Sequence, residues 1–219
     1  MKCKGFLFDL DGTLVDSLAV VERAWTTWGQ RRGIEPEKIL AFIHGKQAIT
    51  SLRHFMPGAS AEEIQHEFAA LEAFEAQDLN GITALPGAIQ LLNTLDNLEV
   101  PWAIVTSGSV PVASARHGAT DLPQPHAFVT AERVEHGKPA PDAYLLGAHL
   151  LALEPEECVV VEDAAAGILS GLAAGCHVIA VNVPADAARL DEVDMQLTSL
   201  EELIVHRDAK GAVQVHRKH

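Results

Sequence analysis

Short apolar runs alternate with amphipathic stretches along most of the chain, and this alternation predicts the main elements. The amphipathic stretches carry apolar residues at helical spacing. The continuous apolar runs favour buried strands, and they cover residues 4–10, 102–105, 127–129, 158–161 and 177–181. Strands that alternate with helices predict an α/β fold with a parallel sheet covered on both faces.

Residues 16–81 differ from the rest of the chain because they carry only helical patterns. Ser60 and Glu63 have the spacing of a capping box at the start of one of these helices. Inserted domains are tolerated where chain ends lie close together, so we expect an all-helical cap domain here. The core domain then comprises residues 1–15 and 82–219.

The borders of the expected cap can be placed from local signals. Val15–Ser17 and Thr83–Gly87 would form the hinge, because the pattern changes at both segments. Asp16 or Ser17 is expected to cap the first helix, and Gly33 to end it.

The last part of the chain shows weaker patterns. Residues 195–198 and 203–205 are expected to form edge strands. Ala209-Lys210-Gly211 has the composition of a turn in a terminal hairpin.

Charge and composition narrow the classes of partner. The chain has 219 residues, and its 30 acidic and 16 basic residues give a net charge of −14. This acidic balance disfavours nucleic acid and anionic membranes as partners, although a site for a small anion can still be locally positive. The widely spaced Cys3, Cys158 and Cys176 indicate neither disulfides nor a zinc site. Because signal-peptide and membrane-span patterns are absent, we expect a cytoplasmic protein. A monomer is expected as well, although no pattern in the sequence decides the oligomeric state.

Two carboxylates stand at the end of the first predicted strand. Asp9 and Asp11 lie two residues apart, and side chains with this spacing on a strand point to the same face. An Asp-Gly turn would explain Asp11 and Gly12 without chemistry, but it leaves Asp9 unexplained. Like charges repel and are costly to bury, so the pair favours a nucleophile, a general acid or base, or a hard-metal site.

Further polar side chains are expected at the same edge of the sheet, where open parallel sheets bind their ligands. These residues are Thr106, Ser107, Lys138, Glu162 and Asp163. Hydroxyls and backbone N–H groups would hold phosphate oxygens, and a lysine would neutralise the charge of phosphoryl transfer. Carboxylates and a substrate phosphate would supply the oxygen ligands that Mg²⁺ prefers. Taken singly, Lys138 could be a solvated lysine and Glu162-Asp163 a helix cap, but their convergence favours a site.

Four segments resemble the haloacid dehalogenase superfamily and occur in the family's order: FDLDGTLVDS, IVTSGS, GKPAPDAY and VVVEDAAAG. The match covers essentially the whole chain, and its cap placement is similar to the β-phosphoglucomutase-like and sugar-phosphatase branch. The segment HGKQAITSLRHF resembles the cap loop of sugar and polyol phosphatases of the enterobacterial hexitol phosphatase type. The resemblance implies a Rossmann-like parallel sheet as the core, with an inserted all-helical cap.

The resemblance also implies a role for each carboxylate. Asp9 would be the nucleophile that forms an aspartyl-phosphate, and Asp11 the acid and base that moves protons. Mg²⁺ would be held by Asp9, by the backbone carbonyl of Asp11 and by Asp163. Glu162 would reach the metal through water or orient another group.

The substrate contacts implied by the resemblance come from both domains. Thr106, Ser107 and Lys138 would bind the phosphoryl group. His44, Gly45 and Lys46 in the cap loop are candidates for contact with the rest of the substrate. Arg53 is a weaker candidate, because an arginine at such a position is more often a solvated helix residue. Selectivity among substrates would depend on how these cap residues close.

Together these features imply a Mg²⁺-dependent phosphatase for small sugar or polyol (hexitol) phosphates. A phosphomutase of the β-phosphoglucomutase type stays open because it would use the same two acids, although Thr13 is the commoner phosphatase form. A dehalogenase is disfavoured because such relatives lack an acid at the position of Asp11. A catalytically inactive metabolite-binding protein is disfavoured because the acids and the lysine are all present. The expected partner is a small phosphorylated metabolite, and neither nucleic acid nor a membrane.

Overall fold

The computed structural model describes residues 1–218 of the chain, and a six-stranded sheet lies at its centre. Neighbouring strands of this sheet are all parallel, which requires crossover connections between them. In spatial order the strands are β6 (Ala127–Val129), β5 (Trp102–Val105), β2 (Gly5–Phe8), β7 (Cys158–Glu162), β8 (His177–Val181) and β9 (Met195–Leu197). The predicted Rossmann-like parallel sheet is confirmed, and the strand nearest the N-terminus in this sheet lies in its middle.

Two smaller sheets accompany the large one. β1 (Lys2–Cys3), β10 (Leu203–Arg207) and β11 (Val213–Arg217) are antiparallel, and β10 and β11 form the predicted terminal hairpin. β3 (Val15–Asp16) pairs with β4 (Thr83–Ala84) where the chain leaves and re-enters the region of the large sheet. This two-stranded ladder ties together the two ends of the helical insertion.

The helices divide into two groups of four within residues 1–218. The insertion contains α1 (Leu18–Arg32), α2 (Pro36–Ile43), α3 (Ala48–Phe55) and α4 (Ala61–Gln77). The sheet is accompanied by α5 (Ala88–Asn97), α6 (Val110–Gly118), α7 (Asp142–Leu150) and α8 (Ala165–Ala173). Short 3₁₀ turns cover Ala131–Arg133, Pro155–Glu157, Leu190–Glu192 and Leu200–Glu202. In this described part of the chain, none of the helices has both the length and the apolar character that crossing a bilayer requires.

Local capping follows the sequence at the end of α1 and at the start of α4. Gly33 ends α1 in the left-handed region with φ 67°, and the predicted capping box opens α4. The start of α1 was expected to be capped by Asp16 or Ser17, and Asp16 makes the side-chain contact. The Asp16 carboxylate accepts a hydrogen bond from the N–H of Leu18, but the Ser17 hydroxyl donates to Asp11 and makes no capping bond. At the start of α1 the side-chain acceptor is therefore Asp16, and Ser17 contacts Asp11 instead.

The core consists of separate apolar clusters on the two faces of the sheet. On β2, Phe6 and Phe8 belong to one cluster and Leu7 to the other, because successive side chains of a strand point to opposite faces. Helices α5 and α6 cover the first face, and α7 and α8 cover the second. Covering both faces explains why the strands are apolar throughout rather than alternating.

A third apolar cluster lies entirely within the helical insertion. Trp25 and Trp28 are both buried in it, and the Trp28 indole N–H donates to Glu67 Oε2 at 2.8 Å. An apolar centre of its own is what a separate cap domain over residues 16–81 requires. The domain boundaries themselves stay a prediction.

Gly87 joins the insertion to α5, and replacing it should cost stability. It has φ +83°, and an added Cβ would lie 2.6 Å from the backbone nitrogen of Glu201. We expect Gly87→Ala to lower the free energy of unfolding by at least about 1–3 kcal/mol, measured by urea denaturation, because a left-handed conformation is strained for alanine.

Gly118→Ala is the matched control, because an added Cβ at this last residue of α6 meets nothing within 4 Å. It should leave stability unchanged or raise it by up to about 1 kcal/mol. Equal losses in the two variants would contradict the explanation from backbone strain and close contact.

Candidate active site

A cleft of about 530 Å³ lies between the helical insertion and the carboxyl edge of the large sheet. Most of the residues singled out from the sequence line it: Asp9, Asp11, Thr106, Ser107 and Asp163 from the sheet side, and His44, Gly45 and Lys46 from the insertion. Arg53 does not line the cleft and is exposed on α3. Parallel strands that end at one edge explain how residues far apart in the chain meet here.

Lys138 lies beneath this cleft as a buried ammonium group. Its Nζ donates to Asp9 Oδ1 at 2.9 Å, to the backbone oxygen of Val105 at 2.9 Å and to Glu162 Oε1 at 2.6 Å. Burial works to lower the pKa of Lys138, but the carboxylates of Asp9 and Glu162 outweigh it and raise that pKa. Lys138 is therefore a charged group at the site, and the surface interpretation of it is wrong.

Glu162 is fully buried and has protein donors on both carboxylate oxygens. Oε1 accepts hydrogen bonds from Lys138 and, at 2.6 Å, from the Tyr144 hydroxyl. Oε2 accepts from the backbone N–H groups of Asp163 at 3.2 Å and Ala164 at 3.4 Å. These contacts favour the second of the two roles considered for Glu162, in which it orients another group, here the Lys138 ammonium.

Tyr144 was not identified from the sequence as part of the site. It lies on α7 with its ring in the core, and its hydroxyl reaches Glu162. The available signal was weak: a buried tyrosine needs a hydrogen-bond partner, but the sequence does not say where that partner is.

Three acidic side chains form the candidate metal site. Oxygens of Asp9, Glu162 and Asp163 all lie within 4.8 Å of one another, and Thr13 Oγ1 donates to Asp163 Oδ1 at 3.0 Å. Burial, followed by the charge of Glu162, raises the pKa of Asp9 well above its usual range, although Lys138 opposes this. The same two causes raise the pKa of Asp163 to about 7. The one ammonium here contacts two of the three carboxylates, so the excess negative charge fits a hard divalent cation.

The partners of the Asp11 carboxylate differ from those of the Asp9 carboxylate. Its Oδ1 accepts a hydrogen bond from the Ser17 hydroxyl at 2.6 Å and lies 3.0 Å from Arg116 Nη1. Asp9 and Asp11 thus face the same cleft, but Lys138 pairs with Asp9 whereas Arg116 pairs with Asp11. Because their surroundings differ, the two carboxylates can take different chemical tasks.

Arg116 was not recognised from the sequence either. It lies on α6, is 3% exposed, and its Nη2 is 2.9 Å from Oε2 of Glu75 on α4. Burial works to lower the pKa of Arg116, but Asp11 and Glu75 together raise it. No local spacing connects a single arginine on one helix with a glutamate on another, so the sequence carried no usable signal.

The hydroxyl-rich turn and the insertion meet across the cleft. The Ser107 hydroxyl donates to the backbone oxygen of Gly45 at 2.9 Å, and Thr106 Oγ1 accepts from the N–H of Gly108 at 3.0 Å. Gly45 has φ +75°, and an added Cβ would lie 2.7 Å from Ala164 Cβ. This close approach, in addition to the backbone conformation, explains why glycine occupies the position.

Lys46 lines the cleft, but its ammonium is held within the insertion. Nζ donates to the backbone oxygen of Phe42 at 2.6 Å and lies 4.3 Å from the centre of the Phe42 ring. His44, the neighbouring candidate, borders the cleft at the end of α2. Of the three cap-loop candidates, Gly45 is therefore the one bonded to the sheet side, and Lys46 must leave Phe42 to reach a substrate.

Comparison with known proteins agrees with this arrangement. Residues 3–175 match the family model described as haloacid dehalogenase-like hydrolase. Hexitol phosphatase A of Escherichia coli (strain K12) is 68% identical over 97% of this chain and 99% of its own length. Glycerol-1-phosphate phosphohydrolase 1 of Saccharomyces cerevisiae is 31% identical over 88% of this chain and 80% of its own.

Solved structures give the same result for the fold. A hydrolase from Pseudomonas syringae superposes with a TM-score of 0.77 at 27% identity and covers 91% of this chain and 94% of its own. A β-phosphoglucomutase from Clostridium difficile gives a TM-score of 0.78 at 22% identity over 92% and 93%, a similarity that concerns the fold alone. The chain belongs to the haloacid dehalogenase-like hydrolases.

Proposed function

We propose that this hydrolase is a Mg²⁺-dependent phosphatase that releases phosphate from small sugar or polyol phosphates, hexitol phosphates among them. One observation carries the proposal: a buried lysine and three acidic side chains lie together at the base of a cleft of about 530 Å³. The 68% identity to hexitol phosphatase A supports the substrate class. A cleft of this volume fits a small phosphate ester.

Asp9 is the proposed nucleophile. One of its carboxylate oxygens attacks phosphorus, so that an aspartyl-phosphate forms as the bond from phosphorus to the ester oxygen breaks. The Lys138 ammonium, 2.9 Å from Asp9 Oδ1, lies where it would offset the negative charge that accumulates during transfer.

Asp9, Asp163 and the backbone carbonyl of Asp11 are the proposed Mg²⁺ ligands. The excess of carboxylates over cations at this position supports a divalent ion there. When bound, Mg²⁺ would reduce the repulsion between the phosphate and the carboxylates.

Asp11 is the proposed proton donor and acceptor. It would give a proton to the leaving alkoxide in the first step. It would then take one from the water that attacks the aspartyl-phosphate, releasing phosphate and restoring Asp9. Its position on the cleft wall, apart from the Lys138 contacts, supports this division of tasks.

The remaining contacts are proposed to select and enclose the substrate. Thr106 and Ser107, with backbone N–H groups of their turn, would hold phosphate oxygens. His44, Gly45 and Lys46 would face the sugar or polyol from a cap domain of residues 16–81, hinged at β3 and β4. The hydrogen bond from Ser107 to Gly45 supports a closed position of this cap.

Asp9→Asn tests the nucleophile directly. The amide keeps the shape of the side chain but cannot form the acyl-phosphate, so phosphate release should fall by at least about 10³-fold, a loss comparable with removal of other catalytic nucleophiles. The measurement is free phosphate from a panel of hexitol, sugar and glycerol phosphates with Mg²⁺, and circular dichroism should show an unchanged fold.

Asp121→Asn, which alters an exposed carboxylate outside the cleft, is the control and should keep wild-type turnover. Near-normal turnover by the Asp9 variant would rule out the mechanism. Conversion of a sugar phosphate to its isomer without free phosphate would instead indicate a phosphomutase.

The acidic cluster should make the metal-free protein less stable as pH rises. Asp163 has a folded pKa of about 7 against an ordinary value of 3.8, so the folded state keeps a proton that the unfolded state releases between these values. Stability is then highest below about pH 4 with respect to this group and falls toward pH 7. In EDTA, Tm should fall between pH 5 and pH 8, by about 2–4 °C for each kcal/mol lost.

Mg²⁺ should reverse this trend, because the metal competes with protons for the same carboxylates. The rise in Tm on adding Mg²⁺ should be larger at pH 8 than at pH 5, and Asp163→Asn should reduce both the pH slope and the Mg²⁺ response. An equal response at the two pH values would contradict metal binding by this cluster.

A further inference from the structure

Two ion pairs that share the buried guanidinium of Arg116 join the helical insertion to Asp11. Glu75 on α4 contacts Nη2 of Arg116 at 2.9 Å, and Nη1 of the same guanidinium lies 3.0 Å from Asp11 Oδ1. Glu75 and Arg116 are only 8% and 3% exposed. A single planar guanidinium therefore holds one carboxylate from the insertion and one from the sheet edge, a task that the fork of donors in arginine suits.

Burying these charged groups has a free-energy cost that a purely structural role does not explain. Burying the Glu75 carboxylate and the Arg116 guanidinium costs much of their hydration, although Asp11 stays partly exposed, and apolar side chains of similar size often stabilise a protein equally well. In addition, the Nε–H of Arg116 is buried and has no hydrogen-bond partner within residues 1–218. Helix packing between α4 and α6 alone does not require this set of charges.

The two carboxylate oxygens of Asp11 differ in their contacts. Ser17 and Arg116 both bind Oδ1, while the contacts within residues 1–218 leave Oδ2 without a protein partner. Ser17 directly precedes α1 at the edge of the insertion, and Arg116 is tied to the insertion through Glu75. Both anchors of Oδ1 thus depend on where the insertion lies, and Oδ2 is left for the substrate side.

We propose that Arg116 and Glu75 are positioning residues that couple closure of the insertion to the placement of Asp11. When the insertion closes, Glu75 fixes the guanidinium, which holds Oδ1 and directs Oδ2 toward the leaving oxygen and later toward water. The inference rests on the proposed function, because it assigns the orientation of the proton-transferring acid in that reaction. Misplacing a catalytic group by about 1 Å can cost on the order of 10²-fold in rate.

A double variant, Glu75→Met with Arg116→Met, separates positioning from folding. It removes both charges together, so no unpaired buried ion is left and the fold should persist. On a hexitol phosphate, kcat should fall by about 10- to 100-fold while KM changes by less than about threefold, because general acid–base catalysis contributes about 10²–10⁴-fold. A pair that only stabilises the closed form would raise KM or lower Tm and leave kcat within about twofold.

The single variants supply the matched comparison. Glu75→Gln should lower kcat less than the double variant, because Arg116 still reaches Asp11. Glu67→Gln is the control: Glu67 lies on the same helix and pairs with Arg32 inside the insertion at 2.8 Å, without contact to Asp11. It should leave kcat unchanged, and a loss equal to that of Glu75→Gln would overturn the inference.

The leaving group gives an independent readout. With enzyme in excess, the first step on p-nitrophenyl phosphate releases an anion that needs no proton, whereas a hexitol leaving group needs one. The double variant should therefore lose at least tenfold less on p-nitrophenyl phosphate in this step, and equal losses on the two substrates would overturn the inference. Failure of the proposed function would look different, because the wild-type protein would then release no phosphate from hexitol phosphates.

Discussion

The contact between the Lys138 ammonium and two buried carboxylates is the interaction on which the site depends. Asp9 directly follows β2, Glu162 is the last residue of β7, and the third partner, the carbonyl of Val105, belongs to the last residue of β5. One ammonium thus joins the carboxyl ends of three adjacent strands of the large sheet. Without it, two carboxylates would face each other in an almost fully buried position at the base of the cleft, where an uncompensated charge is very costly.

The sheet and the insertion contribute different properties to the site. Parallel strands bring the acids and the lysine to one edge, and the tightly packed layers on both faces keep their positions fixed. The insertion covers that edge and contacts it at separate points, through Gly45 at Ser107 and through Glu75 at Arg116. The charged side chains at the edge of the sheet are therefore covered by the insertion, which has an apolar cluster of its own.

Much of the fold could be predicted because periodicity is a local property. The strands at 102–105 and 177–181 begin and end at the predicted residues, and the strand expected over 4–10 is confined to Gly5–Phe8. The meeting of Asp9, Lys138 and Asp163 also followed from the rule for strand ends, although their roles stay a prediction. Arg116 could not be found, because its partners come from distant segments and an ion pair across a cleft leaves no pattern in either.

The position of β2 between β5 and β7 has a consequence for how the chain acquires its structure. β2 consists of apolar residues near the N-terminus, yet the neighbours that cover its edges begin only at Trp102 and Cys158. During synthesis the ribosome must therefore produce nearly half of the polypeptide before β2 can pair with β5, and about three quarters before it can pair with β7. Until then an unpaired apolar strand is open to aggregation, and contacts of such long sequence separation form slowly. The helices that follow β2 are made of local contacts and can form in the interval. The insertion, which can fold fast, thus lies in the sequence between strands of the large sheet, which pair slowly.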